Sequence, residues 1–234
     1  LRLKMSRDAH WIETGDPLPK GFDAVIPLED VNTKDGFIEI YFSVPPYHNV
    51  RPIGEDIVAT ELIIPESHQV RPVDIGAMLA SGILEIKVRK KPIIGIIPTG
   101  SELVDIENLR EKNLQPPELI ESNSSVLSGL IYKSGAEPKV YSIVKDKEED
   151  IKKAILEATK ECDLVLINAG SGYGKEDLTY KVINEIGKIL INGVAIKPGK
   201  PFIAGFINNK PIFGIPGYPV SSFLCFSLFV KPII

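Results

Sequence analysis

The sequence predicts an α/β fold, a doubly wound and mostly parallel sheet preceded by smaller β-rich and mixed subdomains. Three observations carry this. After Pro92, short apolar runs alternate with helical stretches, the order that covers a parallel sheet on both faces. One such run, Leu164 to Ile167, empties into the glycine loop Asn168-Ala169-Gly170-Ser171-Gly172-Tyr173-Gly174-Lys175-Glu176-Asp177. Two further loops, Lys197-Pro198-Gly199-Lys200-Pro201 and Gly214-Ile215-Pro216-Gly217-Tyr218-Pro219-Val220-Ser221-Ser222, directly follow apolar segments, where ligands of an open α/β sheet collect.

Taken in order, Thr14 to Pro27 is a turn-rich entry into a strand, in which Thr14 and Asp16 suit turn capping. Phe37 to Phe42 alternates as a strand does. Pro45-Pro46 and the charged residues after it read as a crossing between two small subdomains. Arg71 to Gly82 reads as a short helix with Asp74 near its start and Gly82 at its end. Glu85 to Arg89 has the alternation of a short strand, and Pro92 marks a domain boundary.

Beyond it the expected order is strand 93–97, helix 122–133, strand 140–144, helix 147–160, strand 163–167 and helix 177–186. Ser122-Asn123-Ser124 supplies a helix cap and Gly135 a stop. Asp146 with Glu149 makes a start resembling a capping box. Strands follow at 189–196, 202–206 and 211–215, with Asn208-Asn209 turning the last two into a hairpin. Tyr218 to Val230 is apolar enough for a buried helix.

Composition narrows the function. With 234 residues, 44% hydrophobic and 25% charged, the chain has the balance of a soluble globular protein. No apolar run is long enough to span a bilayer. A net charge of −4 gives no general attraction to nucleic acid, so an anion site must be built locally from a few lysines and backbone amides. That favours a small ligand. Cys162 and Cys225 lack metal-ligand spacing and read as core residues, which suits a reducing, cytoplasmic compartment. The first residue is not Met and the tail at Val230 to Ile234 is apolar, so the chain reads as an excised fragment.

If the strands are parallel, the loops at 98–103, 146, 168–177 and 197–201 converge on one edge, with the PGYP loop as a fifth. Lys197 and Lys200 flank a glycine and two prolines, a stiff clamp for an anion. Glu102, Asp146 and Asp177 offer hard oxygens suited to Mg²⁺ beside phosphate. Singly, each has a plainer explanation as a cap or a solvated turn; together with glycine loops they favour a nucleotide or phosphate site. Other motifs fail. The loop is not GxGxxG, no Walker spacing occurs, and His10, His48 and His68 lie outside the α/β region, so dinucleotide, P-loop and triad chemistry are poorly supported.

At this point the residues resemble one family, MoeA, the molybdopterin molybdenumtransferases. The carriers are Thr14-Gly15-x-Pro17-x-Pro19-x-Gly21-x-Asp23-Ala24-Val25, Arg51-x-x-Gly54-Glu55-Asp56-Ile57, Thr99-Gly100-x-Glu102-Leu103, the glycine loop ending at Asp177, Gly193 to Pro201, and Pro216-Gly217-x-Pro219-Val220-Ser221. The TGxEL motif and glycine loop also fit the adenylyltransferase MogA or a CinA-type domain; KPGKP followed by PGxPVS points to MoeA.

The resemblance implies residues 1–43 as part of a β-rich second domain, 44–91 as a mixed linker and first-domain segment, and 92–234 as a MogA-like α/β molybdopterin-binding domain. It implies insertion of molybdate, or tungstate, into adenylylated molybdopterin with release of AMP and a divalent cation assisting. By position it implies Asp177, Asp146, Glu102, Lys197 and Lys200 as catalytic, with Asp177 and Asp146 handling Mg²⁺ and phosphate. Substrate binding falls to Thr14, Asp56, Thr99, Gly100, Gly170, Ser171, Gly172, Gly174, Pro216, Gly217, Pro219 and Ser221. It further implies a homodimer, a MogA/MoaB-type adenylyltransferase partner, and an N-terminal helix region and C-terminal β domain beyond this sequence.

The chain departs from the pattern in three places. Ser101 stands where TGDEL has Asp, Asn168 to Gly172 replaces Ser-Gly-Gly-x-Ser, and Gly193 occupies a position where some members carry Lys. The variant loop resembles an archaeal subgroup. Two alternatives stay open: a catalytically weak binding or scaffold module, and MogA-like adenylyl transfer.

Overall fold

The computed structural model describes residues 1–107, 113–169 and 177–234, which form two compact units, Leu1–Lys87 and Val88–Ile234. In the first unit, β1 (Arg2–Lys4), β2 (Asn32–Lys34) and β3 (Phe37–Glu39) make an antiparallel sheet in the order β1-β3-β2. Asp35 and Gly36, at φ 53° and 79°, turn β2 into β3.

Helix α1 (Pro72–Ala80) starts where proline's missing N–H costs nothing, at its first position. The Asp74 carboxylate accepts the Arg71 N–H at 2.8 Å, pairs with the Arg71 guanidinium and lies 2.8 Å from His68 Nε2. The Arg71 guanidinium beside it holds the Asp74 carboxyl well below the usual range. No strand forms over Glu85 to Arg89. That segment is exposed throughout and pairs with no other strand, and alternation alone does not supply a ladder partner.

The second unit is built on a six-stranded sheet. Its strands are β4 (Ile93–Pro98), β7 (Glu137–Val140), β8 (Leu164–Ala169), β9 (Lys188–Asn192), β10 (Ile203–Ile207) and β11 (Lys210–Pro216), in the order β7-β4-β8-β11-β10-β9. The first four lie parallel; β10 and β9 run antiparallel to their neighbours. A separate parallel pair joins β5 (Leu103–Val104) to β6 (Leu119–Ile120).

Strands β4 and β8 are buried along most of their length and read as near-continuous apolar runs because both of their faces are covered. Successive side chains feed opposite cores. Ile94 and Ile96 join Leu127 and Ile131 of α2 (Asn123–Lys133) and Cys225 of α5 (Pro219–Cys225). Ile97, Val165 and Ile167 join Ile151 and Ile155 of α3 (Glu148–Glu161) and Ile183 of α4 (Leu178–Ile186). The doubly wound expectation holds, with helices on each face.

Local corrections have local causes. The strand expected at 140–144 runs instead from Glu137 to Val140, with a single bridge from Val144 to Thr99. Ser122 precedes α2 without a side-chain cap, and Glu121 Oε1 accepts the Ser124 N–H at 2.9 Å in its place. The helix expected from Tyr218 starts at Pro219 and widens after Cys225 into a looser turn over Phe226–Val230. Asn208 and Asn209, at φ 52° and 63°, make the β10–β11 hairpin.

Candidate functional site

Chain order fixes where loops gather. After β4 the chain passes through α2 to β7 on one side; after β7 it crosses by α3 to β8 on the other. The crevice between the carboxyl ends of β4 and β8 is therefore a topological switch point. There Pro98 pairs with Asn168, Asn168 with Ile215, and Ala169 with Pro216. Ile203 faces both Asn192 and Gly214, so the loop joining β9 to β10 reaches the same edge.

After β4, Thr99 is buried and donates its N–H to the Asn168 carbonyl at 2.9 Å, while the Gly100 N–H reaches the Val144 carbonyl at 3.1 Å. Ser101 and Asp146 then bond reciprocally. The Ser101 N–H donates to Asp146 Oδ2 at 2.9 Å, and the Asp146 N–H to Ser101 Oγ at 3.3 Å. This corrects the capping expectation for Asp146. Lys147 occupies the N-cap of α3 with no side-chain bond, and Glu148, Glu149 and Asp150 complement the helix dipole in the first turn. Glu102, half-buried, lends its carbonyl to the Leu119 N–H at 2.9 Å.

Asp177 caps α4, its Oδ1 accepting the Tyr180 N–H at 3.1 Å. A small crevice of about 10 Å³, room for roughly one water, opens beside it and is lined by Ala169, Thr179, Pro201 and Pro216. Gly170, Ser171, Gly172 and Gly174 lie outside the described residues.

Lys197 and Lys200 are exposed on a loop closed by two cross-bonds, Gly193 N–H to Phe202 O at 2.8 Å and Val194 N–H to Lys200 O at 2.9 Å. Gly199 between them is buried at φ 114°. A Cβ there would come within 2.8 Å of Ile196 and 3.0 Å of the Cys225 sulfur. The PGYP turn follows β11. Pro216 is buried, Gly217 half-buried and Pro219 exposed at the first position of α5, with Ser221 buried in its first turn.

The sequence places Asn123 in a helix cap and Asn168 at the start of the glycine loop, and gives neither a role in the site. Both are buried; Asn123 Nδ2 donates to Asn168 Oδ1 at 2.9 Å and to the Gly217 carbonyl at 2.6 Å. An amide at the end of an otherwise apolar strand was the available signal. Among the described residues no three His, Cys, Asp or Glu side chains gather as a metal cluster. No helix among them is long and apolar enough to cross a membrane.

Thr14 and Asp56 belong to the first unit. Thr14 is exposed on a turn whose cap is Asp16, which accepts the Glu13 N–H at 2.9 Å. Asp56 binds the Arg51 guanidinium, which also reaches Glu55 at 3.3 Å, along a cleft of about 450 Å³ that extends to Val58 and Ser81.

Fold and loop placement define a switch-point α/β domain, the class whose small ligands lie across the carboxyl ends of the strands. Residues 95–234 match the family model described as "Probable molybdopterin binding domain", and residues 2–82 match the "MoeA N-terminal region (domain I and II)". The chain belongs to the MoeA family.

Over 228 residues it is 40% identical to a protein of Methanocaldococcus jannaschii named for molybdopterin biosynthesis, covering 96% of this chain and 57% of that one. It is 34% identical over 230 residues to the molybdopterin molybdenumtransferase of Haemophilus influenzae, covering 98% and 56%. A crystal structure of the molybdopterin biosynthesis MoeA protein of Pyrococcus horikoshii superposes with a TM-score of 0.76 at 34% identity, covering 99% of this chain and 61% of that one. The chain thus spans a little over half the length of the curated relatives it matches.

Proposed function

We propose that this chain carries the substrate site of a molybdopterin molybdenumtransferase, inserting molybdate or tungstate into adenylylated molybdopterin with release of AMP. One observation supports this above the rest: loops bearing Thr99, Gly100, Asp146, Asp177, Lys197, Lys200, Pro216 and Gly217 share the edge of the sheet that holds the β4/β8 switch point. Relatives bearing that activity in their names support it independently.

In this reading Lys197 and Lys200 hold the anionic groups on a backbone that has little order left to lose. Thr99, Gly100, the glycine loop from Gly170 to Gly174 and Ser221 bind the phosphate and oxyanion, while Pro216, Gly217 and Pro219 shape the pocket. Thr14 and Asp56 match by position family residues tied to activity; residues 1–43 are read as part of a β-rich second domain and 44–91 as a mixed linker and first-domain segment. Asp146 and Asp177 each use one carboxylate oxygen locally and, among the described residues, keep the other. That suits Mg²⁺, which binds through one or two carboxylates plus substrate phosphates and, when bound, neutralises charge on the phosphoanhydride. Glu102 extends the acidic rim. A homodimer in the cytoplasm, supplied with adenylylated molybdopterin by a MogA/MoaB-type partner, completes the proposal.

The test is AMP release by the full-length protein from adenylylated molybdopterin with Mg²⁺ and either oxyanion, comparing wild type with Asp177→Asn. Oxyanion-dependent release that collapses in the variant is expected. Tight ligand binding with no AMP from either oxyanion would overturn the transferase reading in favour of a binding module.

A further inference from the structure

Three candidate site residues, Pro216, Gly217 and Pro219, sit on one turn that leads into Ser221 of α5, and two buried side-chain amides hold that turn. Asn168 Nδ2 donates to the Pro216 carbonyl at 3.2 Å, with longer approaches of 3.5 Å to the Ile215 carbonyl and Ser222 Oγ. Its Oδ1 accepts from Asn123 Nδ2, which also reaches the Gly217 carbonyl. Successive carbonyls of the turn are thus each taken by one amide, and the amides take each other. Asn168 is also fixed through its backbone: its carbonyl accepts the Thr99 N–H, and it pairs with Pro98 and Ile215. Asn123, Asn168 and Ser222 are at most 8% exposed, so water cannot replace a lost donor cheaply.

We propose that Asn123 and Asn168 are positioning residues that set the Pro216–Pro219 turn against the ends of β4 and β8, and so set affinity for molybdopterin. The inference rests on the molybdopterin reading above. Each end does work the other cannot. Without Asn123, Asn168 Oδ1 and the Gly217 carbonyl lose their donor; without Asn168, the Pro216 carbonyl does.

The experiment compares full-length wild type, Asn123→Ala, Asn168→Ala and the double variant, well below their melting temperatures. It measures the Kd for molybdopterin, amide exchange at Gly217 and Ser222, and KM against kcat for AMP release. Each single variant is expected to raise Kd and KM about tenfold, one to two buried hydrogen bonds' worth, with kcat within about threefold. Exchange at Gly217 and Ser222 should accelerate, and the double variant should be worse than either single one but by less than the product of their effects, because the shared Asn123–Asn168 bond is lost only once. A purely structural role predicts lower melting temperatures with wild-type Kd in the folded protein. That result, with wild type binding normally, overturns this inference alone. A wild type that fails to bind molybdopterin overturns the proposed function and this inference together.

Discussion

The Asp146 carboxylate is bound to the Ser101 backbone 45 positions earlier, and Ser101 returns the bond through its hydroxyl, so the loop after β4 and the segment before α3 are held as one piece. Asp146→Ala removes the acceptor and should cost about 1 kcal/mol, read as a lower urea midpoint at unchanged slope. Ser101→Asp sets a second carboxylate beside Asp146. Its stability should be lowest in dilute buffer and recover as salt screens the pair, which a melting series from low to high ionic strength would show.

Capping and chemistry can be separated at Asp177. Asp177→Asn keeps an oxygen for the Tyr180 N–H and should melt close to wild type, because Asn caps nearly as well as Asp. Asp177→Ala should lose about 1 kcal/mol by the same measure. Both should lose AMP release, so an Asn variant that stays fully active would remove Asp177 from the proposed site.

Gly199→Ala places a Cβ against Ile196 and Cys225 on a backbone at φ 114°. A loss of about 1–3 kcal/mol is expected from the strained conformation, together with weaker binding of molybdopterin as the two lysines move apart. Thermal unfolding and a binding titration on one sample check both halves.

Asp74 gives the first unit an acid limit. Its folded pKa is depressed by Arg71, so it contributes stability fully present above the unfolded carboxylate value of about 3.9 and lost as pH falls from there toward the lower native value. Wild type should lose stability across that window in urea titrations. Asp74→Asn should start weaker at neutral pH and fall less steeply.

Burial pushes the Cys225 thiol up to about 11, and its sulfur donates to the Gly199 carbonyl at 3.4 Å. Native protein at pH 8 should resist iodoacetamide at both cysteines, which are fully buried, and mass spectrometry should find two modifications only after unfolding.

The α/β half was readable because burial imposes a visible pattern: β4 and β8 are covered on both faces and can hold little but apolar residues. Glu85 to Arg89 shows the converse, since alternation describes a side-chain pattern but a strand also needs a neighbour. Asp146 preceded a helix with Glu149 in place, and nothing local revealed that Ser101, far back in the chain, would take its carboxylate. The Asn123–Asn168 bond was hidden for the same reason, and Asn123 within Ser-Asn-Ser looked like capping. Loops meeting at one edge could be inferred from parallel strands, whereas hydrogen bonds between those loops depend on register.

The Asn208–Asn209 hairpin joins β10 to β11 at the end of the sheet opposite to the candidate site. That makes the six-stranded sheet two-ended for an engineer. A spectroscopic label or surface tether placed at this turn sits the length of a strand away from the ligand edge of the same sheet.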